Sequence, residues 1–272
     1  KYYQNSSDVF EDISFTGGVA ISYYDINDSF GKIETFLPYK ELSSILNKVR
    51  NDNFISLSSI IYSPESYKFS EKLHNDNPNI GNLLSSGHKY DIVTNIFSKL
   101  PTIFLDSPIE NDDYIKFLGL SGRNRIFKYI KEKYVKNHEN LKYYKVFLPK
   151  SNGSGAIGET IPTCLIGEPL LCEKNVGHTQ SFISIGKFVC RDEAIALLKY
   201  LKTKFSRVLL GTLKVTQDNK KDAWLNVPIQ DFTSKSDIDW SKSIKEIDYQ
   251  LYKKYNLTEL EINFIEKMIK KM

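Results

Sequence analysis

The stretch KVFLPKSNGSGAIGE, residues 145–159, constrains the chain more than any other. Val146, Phe147 and Leu148 form a short apolar run with the length and flanks of a buried strand, and Pro149 breaks it. A cation and a glycine-serine-asparagine loop follow: Lys150, Ser151, Asn152, Gly153, Ser154, Gly155. A strand that ends this way presents backbone N–H groups and short polar side chains to an anion. Asn, Ser and Lys also bond phosphates and base edges. An ordinary surface turn answers to the same residues, and no G-x-x-x-x-G-K-[ST] phosphate loop is present.

Charge sharpens the anion reading. The whole chain of 272 residues carries +4, but residues 114–150 hold ten basic side chains against Glu132 and Glu139, a local +8. Tyr114, Phe117, Phe127, Tyr129, Tyr134, Tyr143 and Tyr144 are interleaved with them. That is the footprint of a polyanion partner, although a solvated lysine-rich surface has the same composition. With 41% hydrophobic and 26% charged residues the chain reads as soluble and globular, one large domain or two small ones. No apolar run approaches the ~18–20 residues of a membrane span, so no membrane partner is expected. The first residues, KYYQNSSDVF, hold neither a signal-peptide core nor an initiator Met, so the chain reads as continuing from a longer protein. Cys164, Cys172 and Cys190 form no C-x-x-C pair, which points to reduced thiols and the cytoplasm. His74, His88, His138 and His178 lack zinc-binding spacing.

Along the chain, residues 13–24 read as a Gly17-Gly18 turn and an apolar strand, with Asn27, Asp28 and Gly31 turning back into KIETFL. Leu42, Ile45, Leu46 and Val49 make a helical stripe. A strand over 54–62 and a helix stopped at Asn77-Pro78 come next. Residues 85–97, with His88, Lys89, Thr94 and Asn95, read as a polar loop facing a ligand. YIKFLGL and RNRIFKYI form a hairpin about Ser121-Gly122. Arg123 and Arg125 are then expected on one strand face, with Lys128 nearby, as a phosphate clamp or guanine reader. Residues 176–186 read as a polar loop, with His178, Thr179 and Gln180, leading into the strand of Phe182, Ile183 and Ile185. Asp192 is expected to cap one long helix, DEAIALLKYLKTKFSRVLL. An exposed polar loop carries Lys214, Thr216, Gln217 and Lys220, and Thr258 and Glu261 form the capping box of a last helix.

These motifs occur together. KVFLPKSNGSGAIGE, IGEPLL, VGHTQSFISIG, EAIALLKYLKTKFSRVLLG, KVTQDN and the run from WLNVPIQDF onward resemble, in the same order, the C-terminal part of bacterial restriction–modification adenine methyltransferases, including those fused to a nuclease. GGVAISYYD is similar to the last strands of that family's catalytic domain. A more distant likeness is to the half-repeats of type I specificity subunits.

The resemblance implies an α+β target-recognition domain over 41–272, preceded over 1–40 by the tail of an α/β methyltransferase sheet. It would read a short sequence in double-stranded DNA for an upstream catalytic domain that methylates adenine with S-adenosylmethionine. No N-P-P-Y tetrapeptide is present (Asn77-Pro78-Asn79 is not one), nor a glycine-rich strand-to-helix turn. No catalytic residue is therefore carried over, and no cofactor is expected in this chain itself. The expected DNA contacts are Lys89, Arg123, Arg125, Lys128, Lys150, Ser154, His178, Thr179, Lys214, Thr216 and Lys220. Asn152, Gln180 and Gln217 are the expected base readers. Loops 150–155, 178–180 and 214–220 are expected to converge on one face. Two alternatives stand beside this: a metal-dependent nuclease using Asp218-Asn219-Lys220 as a D-x-K motif, and a protein-interaction module.

Overall fold

A computed structural model describes residues 2–3, 6–12, 19–28, 37–50, 53–110, 113–152, 157, 164–214 and 216–272. The Gly17-Gly18 turn, the return through KIETF, Asn111-Asp112 and the Gly153–Gly155 part of the central loop lie outside the described residues. The fold is mixed α+β. Two short strands, β1 (Tyr2–Tyr3) and β2 (Val19–Ala20), pair with each other. Helix α1 (Lys40–Val49) follows and buries the predicted Leu42, Ile45, Leu46 and Val49. The expected strand over 54–62 is mostly a single helical turn, Leu57–Ile60, and only β3 (Ile61–Tyr62) is extended. Helix α2 (Glu71–Asp76) stops before Pro78, and α3 (Ile96–Lys99) closes the 85–97 segment.

The hairpin forms as β4 (Tyr114–Ser121) and β5 (Asn124–Lys131), paired in register from Tyr114↔Lys131 to Ser121↔Asn124. Gly122 sits at φ +59, the positive value that a tight two-residue hairpin loop requires. Arg123 is the second residue of that loop, so it lies beyond the strand on which it was expected. Strand β6 (Tyr144–Pro149) is the predicted central strand, flanked by β7 (Leu170–Cys172) and β9 (Phe182–Phe188). Between these two, β8 (Val176–His178) runs parallel to β4. Two sheets result, in the orders β3-β9-β6-β7 and β5-β4-β8. Near Gly186 (φ +88) the β6–β9 register slips by one residue, a bulge of the kind that needs glycine at positive φ.

Period-two alternation then sorts the core. Val146, Leu148, Ile183 and Ile185 face the main helical core, whereas Phe147 and Phe182 join Leu118, Cys172 and Val176 in a small core between the sheets. Beyond the hairpin a third cluster gathers Tyr67, Phe69, Ile96, Phe104, Phe117 and Ile130. The expected long helix is two, α4 (Arg191–Lys202) and α5 (Lys204–Leu210), because Thr203 adopts an extended ψ of 148 and caps the second. Cys190, not Asp192, holds the N-cap of α4. Asp248 on α6 (Ile244–Lys254) seals the break by accepting from the Lys204 and Phe205 N–H groups at 3.0 and 2.9 Å. α7 (Glu259–Met268) carries the predicted Thr258–Glu261 capping box and packs on α1, joined by the Lys48–Glu261 ion pair at 2.7 Å. Among the described residues, no helix is long and apolar enough to cross a membrane.

A buried polar bridge ties the layers together. Asn140, fully buried, accepts from the Tyr67 hydroxyl at 2.7 Å and donates to Ser184 Oγ at 2.9 Å. Tyr67 belongs to the third cluster and Ser184 to β9, so one amide links that cluster to the β3-β9-β6-β7 sheet. Unmade buried hydrogen bonds cost ~1–3 kcal/mol each. Asn140→Ala should therefore lower stability to urea by about 3 kcal/mol, and Tyr67→Phe by about 1 kcal/mol. Equal, small losses in both would remove Asn140 from this role.

Candidate nucleic-acid interface

The two sheets meet where β8 hands the chain to β9 through Thr179, Gln180 and Ser181. Thr179 N–H donates to the Leu118 carbonyl at 2.9 Å, and Lys150 N–H donates to the Ser181 carbonyl at 2.8 Å. Gln180 N–H reaches the Ile92 carbonyl at 3.0 Å. The loop after Pro149 is tied in turn to residues 217–219. Asn152 N–H donates to the Gln217 carbonyl at 3.0 Å, Asn219 N–H to the Lys150 carbonyl at 2.7 Å, and Ser151 bridges Asp218. The three predicted loops thus converge, through residues 150–152, 180–181 and 217–219.

Where they converge an open cleft of roughly 540 Å³ forms. Its cations are Arg123, Arg125 and Lys150, its amide is Gln180, and Thr94, Ser151, Ser181 and Asp218 complete the polar wall. Phe182 is part of the lining, and the Arg125 guanidinium carbon lies 5.7 Å from the centre of that ring. Arg125 also donates to the Glu168 carbonyl, which holds the head of the side chain at the cleft wall. Arg123 and Lys150 make no side-chain hydrogen bond or ion pair among the described residues, so their cationic heads can be given to a ligand. Three cations against one carboxylate make the cleft anion-attracting. Thr216 and Gln217 are exposed beside it, and Lys220 is exposed just before the turn Lys221–Trp224.

Other expected contacts go elsewhere. His178 and Thr179 are fully buried, because 176–178 is a strand and not an exposed loop. His178 packs edge-on against Tyr67 and Phe147 at 4.8 and 4.7 Å. Its Nδ1–H donates to the Thr179 carbonyl at 2.9 Å, while Nε2 is buried without a partner. Burial pushes its pKa down to about 3. Lys214 is likewise interior, its ammonium 3.0 Å from the Thr216 carbonyl. Lys128 lies three residues from Arg125, hence on the opposite strand face, where it pairs with Asp106 at 2.5 Å. Asn152 uses its amide oxygen to accept from Asn219 Nδ2 at 3.1 Å, so it holds the loop instead of offering a whole amide edge. Lys89 is exposed but does not line the cleft, whereas Thr94 of the same segment does. Ser154 lies outside the described residues.

Lys145, counted above with the basic stretch, is also interior. Its ammonium donates to the Tyr143 and Leu141 carbonyls at 2.9 and 3.1 Å, and burial lowers its pKa to about 8. Thr94, Leu120, Pro149, Ser151, Ser181, Phe182 and Asp218 line the cleft without having been among the expected contacts. The β6–β9 pairing could not be read from spacing, and it is what brings Phe182 there. Asp218 supplies the single carboxylate of the D-x-K triplet at the cleft. Among the described residues no group of three His, Cys, Asp or Glu is gathered that could hold a metal ion.

The buried His178 has a pH consequence. Its folded pKa is depressed below the ~6.5 of an unfolded histidine, so the unfolded chain binds the proton first and stability is lost as pH falls from about 6.5 toward 3. His178→Phe, measured by urea melts across that window, should flatten the acid loss by on the order of 4 kcal/mol. An acid loss as steep in the variant as in the unaltered chain would show that His178 is not its source. Comparisons with family models, with curated proteins and with solved structures return no match for this chain.

Proposed function

We propose that this chain reads a short sequence in double-stranded DNA, as the target-recognition part of a restriction–modification adenine methyltransferase. The observation that carries the proposal is the cleft at the sheet junction. Arg123, Arg125 and Lys150 stand there beside the half-buried amide of Gln180 and the exposed amide of Gln217, as phosphate binding and base reading together require. In this reading the arginines and Lys150 position the duplex, while Gln180 and Gln217 discriminate bases. The family resemblance supplies the enzyme class.

The same reading accounts for the first residues. Ile21, Tyr23, Tyr24 and Ile26 are 53–82% exposed just after β2, an apolar row suited to cover by the rest of a catalytic sheet. S-adenosylmethionine belongs to that upstream part. The strand-to-helix connection from β9 to α4 is Val189-Cys190, which carries no glycine. Cys164, Cys172 and Cys190 are unpaired thiols, consistent with a cytoplasmic setting.

Fluorescence anisotropy with a labelled duplex, titrated over a range of salt, tests the cleft. Arg123→Ala, Arg125→Ala and Lys150→Ala should each weaken binding to all sequences and lower the slope of log K against log salt by about 1. Lys128→Ala should change neither, since its ammonium is on the other face. Unchanged slopes in all three cleft variants would remove the duplex from this site. Labelled S-adenosylmethionine incubated with the chain and DNA should transfer no methyl group, and robust incorporation would overturn the division of labour.

A further inference from the structure

The exposed face of β5 continues past the cleft. Arg125, Phe127 and Tyr129 alternate onto one side of the strand, repeating every ~6.8 Å. The register sets Lys116 opposite Tyr129 and Leu118 opposite Phe127. Around these residues a second open cleft of roughly 410 Å³ lies between the hairpin and the turn 171–176. Tyr114, Phe127 and Tyr129 are its rings, and Lys116 and Lys174 its cations.

Three features of this cleft select a ligand. Phe127 is 40% exposed, a large apolar ring left to solvent in the middle of a strand. The Lys116 ammonium lies 5.4 Å from the Phe127 centroid and 5.5 Å from that of Tyr129, so ring faces and positive charge are presented together. The Tyr114 hydroxyl is buried in the wall with no hydrogen-bond partner, and such a group is rarely left unmade. The carboxylate in the lining, Glu173, is engaged by Arg191 at 2.8 Å. A planar, unsaturated ring system carrying negative charge matches the site. Bases inside a duplex cannot offer their faces, but unpaired nucleotides can, and aromatic rows on sheets stack them without regard to sequence. A lysine resting on a ring gains only ~0.5–1 kcal/mol at an exposed site, so Lys116 can leave the rings for a phosphate.

We propose that the Phe127–Tyr129 face is a stacking site for unpaired nucleotides, continuous through Arg125 with the duplex cleft. The chain then holds a junction, with paired DNA at Arg123, Arg125 and Lys150 and an unpaired strand running along β5 over Tyr129. The continuity rests on the duplex reading of the first cleft; the stacking chemistry does not.

The test uses the full chain and three labelled probes: a blunt duplex, the same duplex with an oligo-thymidine overhang, and oligo-thymidine alone. The overhang should tighten binding roughly tenfold over the blunt duplex, in keeping with the stacking of one or two bases. Phe127→Leu and Tyr129→Leu should abolish that gain while leaving blunt-duplex affinity and thermal stability unchanged. Phe127→Trp should restore the gain, and its added emission should be quenched by the overhang but not by the blunt duplex. Absence of the gain in the unaltered chain, or its survival in both leucine variants, overturns the stacking site while blunt-duplex binding keeps the first reading intact. Binding of oligo-thymidine that Phe127→Leu abolishes, with no affinity for the blunt duplex, keeps the stacking face and removes the duplex cleft. Binding of none of the probes overturns both.

Discussion

The short crossing from β8 to β9 determines most of what the molecule can present. β8 is held parallel to β4, β9 antiparallel to β6, and only Thr179, Gln180 and Ser181 separate them. A connection this short leaves no room for the sheets to drift apart, and its backbone groups are already bonded to Leu118, Ile92 and Lys150. The sheets are stitched at one end and packed face to face through Phe147, Phe182, Leu118 and Val176. The cleft lies beside that contact, with Leu120 and Phe182 in its lining. Gln180 is therefore at the mouth by topology, with its backbone fixed before any ligand arrives, which lowers the ordering cost of binding.

That stitching has a consequence for charge. A buried lysine or histidine is tolerated only if its polar atoms are met or its proton is given up. Lys145 takes the first course, with the Leu141, Tyr143 and Glu173 carbonyls, and His178 takes the second, remaining neutral among rings. Asn140 closes a separate polar bridge, between Ser184 of β9 and Tyr67 of the third cluster. These residues are polar for architectural reasons. The same logic holds for Arg207, which is fully buried and donates to the Thr203, Lys202, Cys164 and Lys270 carbonyls.

This is why the sequence was legible in some places and not in others. Elements whose signal is local were readable: the α1 stripe, the apolar run of β6, the Gly122 hairpin and the Thr258–Glu261 capping box. The convergence of three loops was readable because each follows or precedes a strong local element. Residues 176–181 were misread because His178 and Thr179 find their packing partners far away in sequence, and a polar residue with distant partners looks like a loop. Lys214 misleads in the same way. The break at Thr203 depends on a carboxylate from α6, so helical periodicity ran through it. One miss was avoidable: Ser243 and Glu246 form a capping box as clear as that at Thr258, and it announces α6.

Density of charge along a chain is a poor measure of charge on a surface, and β5 shows why. Lys128 and Arg125 sit three residues apart, and strand parity alone sends one to Asp106 and the other to the cleft. Of the ten cations between 114 and 150, Lys133 and Lys142 are also drawn to carboxylates, and Lys145 is interior. Three reach the first cleft. Each phosphate neutralised contributes about 0.9 to the salt dependence, so three give a slope near −3, well short of the six to ten contacts typical of a tight, self-sufficient duplex binder. On the proposed reading the cleft supplies register and selection, while much of the affinity must come from another surface. The exposed apolar row at Ile21–Ile26, where a catalytic domain would attach, is the place from which it would come.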